Sequence, residues 1–184
     1  MTVDLDKFEQ ILQDGLLKVC SSCSLLEADL LGSPDIDGKW EEFIEPYVGD
    51  AVHNFNDYPN AALGFAAYLG MGVAHRWDED WLEYRDCKYQ SFYGPHGFDD
   101  MDDNIVENIL HLDPIIAEKI KSCFLSLVEA TLGLISHEGI QTETEDGFYV
   151  LSRTYSVFYR IGAAVELRRL GYKKTLAVAS PKSS

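Results

Sequence analysis

The densest group of chemically able side chains in this sequence is His75-Arg76-Trp77-Asp78-Glu79-Asp80-Trp81. On a helix, His75 would face Asp78 and Glu79, three and four positions on. Such a pair can tune an imidazole as a general base or supply one edge of a metal site. His75, Asp78 and Glu79 are therefore the catalytic candidates, and Trp77 and Trp81 are neighbouring candidates for ligand contact. A metal site would need further donors from a second helix, as helix bundles provide. His53 with Asp57, and Glu107 with His111, have suitable spacing. No His-Glu-x-x-His and no pair of Glu-x-x-His motifs occurs, so no metal ligand is assigned. The plain alternative is a solvated helix end with His75 in an ordinary salt bridge.

Acidic spacing gives a second candidate. Glu41-Glu42-Phe43-Ile44-Glu45 and Glu83-Tyr84-Arg85-Asp86 place carboxylates one turn apart on two helices. This resembles the magnesium-binding pattern of the all-α nucleoside triphosphate pyrophosphatases, in which carboxylates on facing helices hold a metal that grips phosphate oxygens. The resemblance covers these few residues, the segment between them is longer than that pattern normally has, and Pro46 follows Glu45 directly. It implies magnesium and a phosphate substrate; an exposed acidic face is the simpler account.

Arg153 and Arg160 lie seven apart, on one face of a helix rich in Tyr149, Tyr155, Phe158 and Tyr159. Their forked donors suit a carboxylate or phosphate, so they are candidates for an anionic ligand. An internal ion pair with the acids at 78–86 is the preferred expectation. In the loop Asn54 to Asn60, Asp57 is a ligand-binding candidate, although short polar side chains there suit helix capping. Cys20-Ser-Ser-Cys23 has the spacing of a redox or metal motif. Without a second pair or nearby histidines, small packed thiols are the expectation. No Gly-x-Gly-x-x-Gly, Walker loop or Gly-x-Ser-x-Gly occurs.

The elements that must position these groups read as helical throughout. In the first, Phe8, Ile11, Leu12, Leu16, Val19, Cys23 and Leu26 step by three or four, with Asp4 as cap and Gly32-Ser33-Pro34 as the stop. A second is expected from Lys39 to Asn54, kinked or divided by Pro46. Residues 58–74 carry no charge and form a third helix to about Trp77, where Ala62, Ala66, Gly70 and Ala74 make a smooth face for a neighbouring backbone or a second copy of the chain. A long loop falls near 89–98, with Tyr89, Phe92 and Tyr93 as an expected aromatic surface. Asp113-Pro114 opens a helix to about Ser136, apolar on nearly every face and expected to be central. The last runs from about Glu143 to Leu170, stopped by Gly171. The expected fold is an all-α, single-domain bundle of six or seven helices over residues 1–184, with 180–184 disordered.

Composition narrows the function classes. The chain has 184 residues, net charge −16 and 46% hydrophobic residues, enough for a core without metal or disulfide. Its acidity disfavours nucleic acid. Residues 153–184 nevertheless carry seven Lys/Arg and one acid, Glu166, so the last helix should dock on acids of its own chain. No leader and no membrane-length apolar run is present, which points to a cytoplasmic protein. Two classes remain. The preferred one is a non-enzymatic module, adaptor- or immunity-like, that binds a protein partner or a small anionic ligand and needs no cofactor; a homodimer fits as well. The other is a divalent-metal hydrolase of a phosphate ester or anhydride, using magnesium or zinc with helix-borne carboxylates and His75.

Overall fold

The computed structural model describes residues 3–27 and 30–173. The tail at 180–184 lies outside them. The described residues form an all-α bundle with no strand: α1 (Leu5–Ser22), α2 (Pro34–Asn54), α3 (Pro59–Tyr84), the short α4 (Met101–Asn104) running into a π turn at Ile105–Ile109, α5 (Pro114–His137) and α6 (Glu145–Arg169). The long loop expected near 89–98 lies between α3 and α4. It is built from two 3₁₀ turns, Tyr89–Phe92 and Phe98–Asp100. No helix among the described residues is long and apolar enough to cross a membrane.

Local chemistry explains most boundaries. Asp4 accepts from the Lys7 N–H, Asp113 from Ile115 and Thr144 from Gly147, each side chain satisfying a donor that the first helical turn leaves unpaired. One boundary differs from expectation for the same reason. Ser33-Pro34 starts a helix instead of ending one: the Ser33 hydroxyl accepts from the Asp35 N–H at 3.3 Å, and Pro34 takes the first position, where its missing N–H is harmless. Helix α1 therefore stops at Ser22, and α2 begins five residues before Lys39. Pro46 neither divides nor ends α2. The core anchors on each side of it, Phe43 and Tyr47, are buried and hold the helix together against the lost hydrogen bond.

The centre of the bundle is the crossing of α3 and α6. Every residue from Ala62 to Ala74 is buried, so the uncharged run is a helix inside the protein. A Cβ added at Gly70 would overlap the Tyr159 carbonyl, and one at Gly162 would overlap the Ala67 carbonyl. The two backbones touch because neither glycine has a side chain to hold them apart. The small-residue face, expected to seat a neighbouring backbone or a second copy, is thus used within the chain. Helix α5 is not the central one. Its buried residues Ile120, Cys123, Phe124, Leu127, Val128, Thr131 and Ile135 form a single stripe, while Ile115 is 81% and Ile116 42% exposed. Lys119, Lys121, Ser122, Ser126 and Glu129 lie on its outer side, and these mark the helix as one-sided. Helix α3 breaks at Asp80, where φ −164° and ψ 87° are extended. The Asp80 carboxylate then accepts from the Glu83 N–H at 3.3 Å and caps the last turn.

These contacts reverse the usual sign of a glycine substitution. Gly→Ala in an open helix position stabilises by about 0.5–1 kcal/mol. Gly133 in α5 has open space where a Cβ would go, and Gly133→Ala should show that gain. Gly162→Ala should instead destabilise by about 1–3 kcal/mol through overpacking against backbone that cannot move aside. Urea unfolding of both variants checks the pair; equal and positive shifts would contradict the crossing.

Candidate functional site

His75 stands at the far end of the α3–α6 crossing, and α6 supplies its partner. Nδ1 lies 2.9 Å from Oε2 of Glu166, a carboxylate with no exposed surface. Arg169, one turn on, grips the same carboxylate with both arms, Nε to Oε1 at 2.6 Å and a terminal nitrogen to Oε2 at 2.8 Å. Hydrogen bonding to Glu166 lifts the guanidinium above its already high value. An ionised carboxylate only accepts, so His75 carries its proton on Nδ1. Its Nε2 then looks outward to Glu79, at 3.5 Å. The predicted pairing of His75 with the acid four positions on is present. Glu166, which binds His75 more closely, was missed; its signal was its standing as the lone acid among the basic residues 153–184, three residues before an arginine.

The neighbours of His75 are engaged in structure. Asp78 accepts from the Tyr172 hydroxyl at 2.7 Å. Trp77 is fully buried, and its indole N–H donates to Asp35 at 3.2 Å. Trp81 is partly buried against the core. Among the described residues no group of three or more His, Cys, Asp or Glu side chains is arranged to hold a metal ion. His53, Asp57, Glu107 and His111 all face solvent.

The arginines do not meet the acids at 78–86. Arg153 binds Asp6 at 2.8 Å and Glu9 at 3.6 Å, and Arg160 reaches Glu9 at 3.7 Å and Gln13 at 3.1 Å. Their partners lie on α1, because the face of α6 that carries them packs there. The broader expectation, that the basic end of the chain docks on its own acids, is realised at this different place. The acidic pattern on α2 and α3 is not convergent either. Glu41, Glu45, Glu83 and Asp86 are exposed, and Glu42 pairs with the buried Lys39 at 3.1 Å. The expected aromatic surface near 89–98 is turned inward: Tyr89 and Phe92 are buried, and the Tyr89 and Tyr93 hydroxyls both donate to Asp50.

A groove of about 440 Å³ opens between the start of α3 and the middle of α5. Its walls are Tyr58, Phe65, Tyr68, Phe124, Leu125 and Val128, with Asp57, Asp102 and Lys121 among its polar residues. Tyr58 (65% exposed) and Leu125 (37%) stand at its mouth. The polar loop before α3 does not cap that helix: the cap position is Tyr58, and no side chain bonds there. This frees Asp57 beside the groove, so the loop candidate and the groove coincide. Burial raises the Asp102 carboxyl above the usual carboxylate range, against the opposing effects of a hydrogen bond to the Asp103 backbone and the charge of Lys121. Asp102, Asp103 and Glu118 all act on the Tyr68 phenol, which burial first of all pushes up. Apart from Asp57 and its loop, sequence reading missed this groove. Its one available signal was the solvent-facing apolar residues of α5, hidden inside a run that looked apolar all round.

The Glu166 cluster is a structural keystone in energetic terms. Arg169→Ala should leave a buried carboxylate with His75 alone and cost roughly 2–4 kcal/mol, measured by chemical denaturation. A cost near zero would show that the carboxylate is already solvated. No family model, curated protein or solved structure matches this chain, so the functional reading rests on the geometry above.

Proposed function

We propose that the protein is a non-enzymatic binding module, adaptor- or immunity-like, whose α3–α5 groove takes an apolar segment bearing basic side chains from a partner protein. The single observation that carries this reading is the apolar groove walled by Asp102, a carboxylate whose charged form burial disfavours. The sign is as follows. Asp102 binds its proton more tightly in the folded chain than in the unfolded one. Its ionised form therefore opposes folding; the penalty is absent below the unfolded carboxylate pKa, grows as pH rises, and is complete above the folded value. A cation seated in the groove relieves that penalty. Asp57, Asp103 and Glu118 around it add to an acidic rim, and helix-in-groove docking is a common use of such a cleft. A small anionic ligand at Arg153 and Arg160, the alternative to an internal ion pair, is not part of this reading, since both arginines pair with acids of α1.

The test uses a fluorescent amphipathic peptide of leucine and lysine, and its counterpart with glutamate for lysine. The lysine peptide should bind, more tightly as pH rises through the range in which Asp102 ionises, and the glutamate peptide should not. Leu125→Gln and Asp102→Asn should each weaken binding about tenfold, equivalent to ~1.4 kcal/mol. Asp102→Asn should at the same time raise the melting temperature of the free protein at neutral pH, and that gain should vanish in acid. Equal affinity for both peptides would overturn the reading. A rise in melting temperature with magnesium, manganese or zinc after EDTA treatment would favour the divalent-metal hydrolase instead.

A further inference from the structure

Asp102 and Lys121 line the same α3–α5 groove, one from α4 and the other from α5. Lys121 makes no salt bridge or side-chain hydrogen bond among the described residues, and its charge reaches Asp102 across a gap. The groove thus contains an ammonium of its own, on a flexible stem at an exposed position of α5. A lysine arriving from a partner would exchange one ammonium for another beside Asp102 and gain little by it. A guanidinium is different. Its planar fork takes both oxygens of a carboxylate at once, and it sheds water at lower cost than an ammonium. Phe65, Tyr68 and Phe124 line the same groove, and a guanidinium packs well against aromatic rings. Both modes already occur within this chain. Arg169 holds the two Glu166 oxygens with its fork, and the Arg76 guanidinium lies 4.1 Å from the centre of the Phe92 ring.

We infer that the groove selects arginine over lysine: the partner segment anchors itself by a guanidinium bound two-pronged to Asp102, and Lys121 is the built-in competitor it must displace. This rests on the reading of the groove as a docking site for a basic, apolar segment, and it adds which base that segment carries. Lys121 lowers the affinity of every basic segment alike. It therefore rejects those that make one weak bond to Asp102 and admits one that holds both oxygens, which is specificity by a repulsive element. Burial disfavours the charged form of Asp102, and a ligand that satisfies both oxygens offsets that cost more fully than one that satisfies a single oxygen.

The test measures, on the full chain at neutral pH, the affinities of two fluorescent amphipathic peptides that differ only in carrying arginine or lysine beside their leucines. The arginine peptide should bind about tenfold more tightly. Lys121→Met should tighten both peptides about threefold, by removing the competing charge. Asp102→Asn should cut the arginine preference to about twofold, the remainder coming from ring contact. Equal affinity of the two basic peptides for the wild-type chain, with the glutamate peptide unbound, would overturn the inference and leave the groove reading standing. A preference undiminished by Asp102→Asn, or an arginine peptide that binds Lys121→Met more weakly, would also overturn it. Binding of neither basic peptide would overturn both. The wild-type comparison needs no variant, so a substitution that fails to fold leaves the test intact.

Discussion

The rest of the bundle depends on the direct seating of α3 on α6, at Gly70 and Gly162. Close approach there lets the flanking large side chains reach across. The Tyr159 hydroxyl on α6 donates to the Ile36 carbonyl at 2.7 Å, and the Tyr47 hydroxyl on α2 donates to the Ala62 carbonyl at 2.7 Å. Trp40 stacks on Tyr159 at 4.8 Å, and Tyr47 meets Tyr155 edge-on at 5.3 Å. Both phenols bond to backbone carbonyls in the interior, whereas the buried Tyr155 hydroxyl finds no hydrogen-bond partner among the described residues. Helices α2, α3 and α6 form one unit, and α1 and α5 close its sides.

Electrostatics follow from that geometry. Helix α6 carries four arginines, and its position decides which acids they match. Arg153 and Arg160 serve α1, Arg168 pairs with Glu27 at 3.4 Å, and Arg169 serves Glu166. At the α3–α5 groove, Asp102 feels Lys121 in place of these arginines. A chain this acidic can therefore be well compensated along one seam and strongly negative at another. The groove lies at the negative one.

Much of the fold was legible because it is written in local chemistry. The caps Asp4 and Asp113, the uncharged run from 58 to 74 and the stop at Gly171 (φ 103°) all say what they do within a few residues. The errors share a cause. Ser33-Pro34 reads equally as stop or start until one knows where Leu26 and Ile36 pack. An apolar-looking α5 reads as central until Ser122, Ser126 and Glu129 are placed on one side of it. The site was less legible still, because its contacts are long-range: Glu166 lies 91 residues from His75, and Asp102 and Phe124 reach the groove from elements far along the chain from Tyr58. Charge balance located the docking of α6 in kind but not in place, since acids on α1 and on α3 look alike in a sequence.

The paired glycines at the crossing also act as a fingerprint. Surface charges, loop lengths and even the groove can drift without moving the helices apart, but any side chain at either point would pry them open. A distant cousin with little overall likeness would still have to present a bare backbone at both positions, each inside a long helix, with a two-sided apolar run around the first. That constraint offers a way to recognise kinship where whole-chain resemblance has faded.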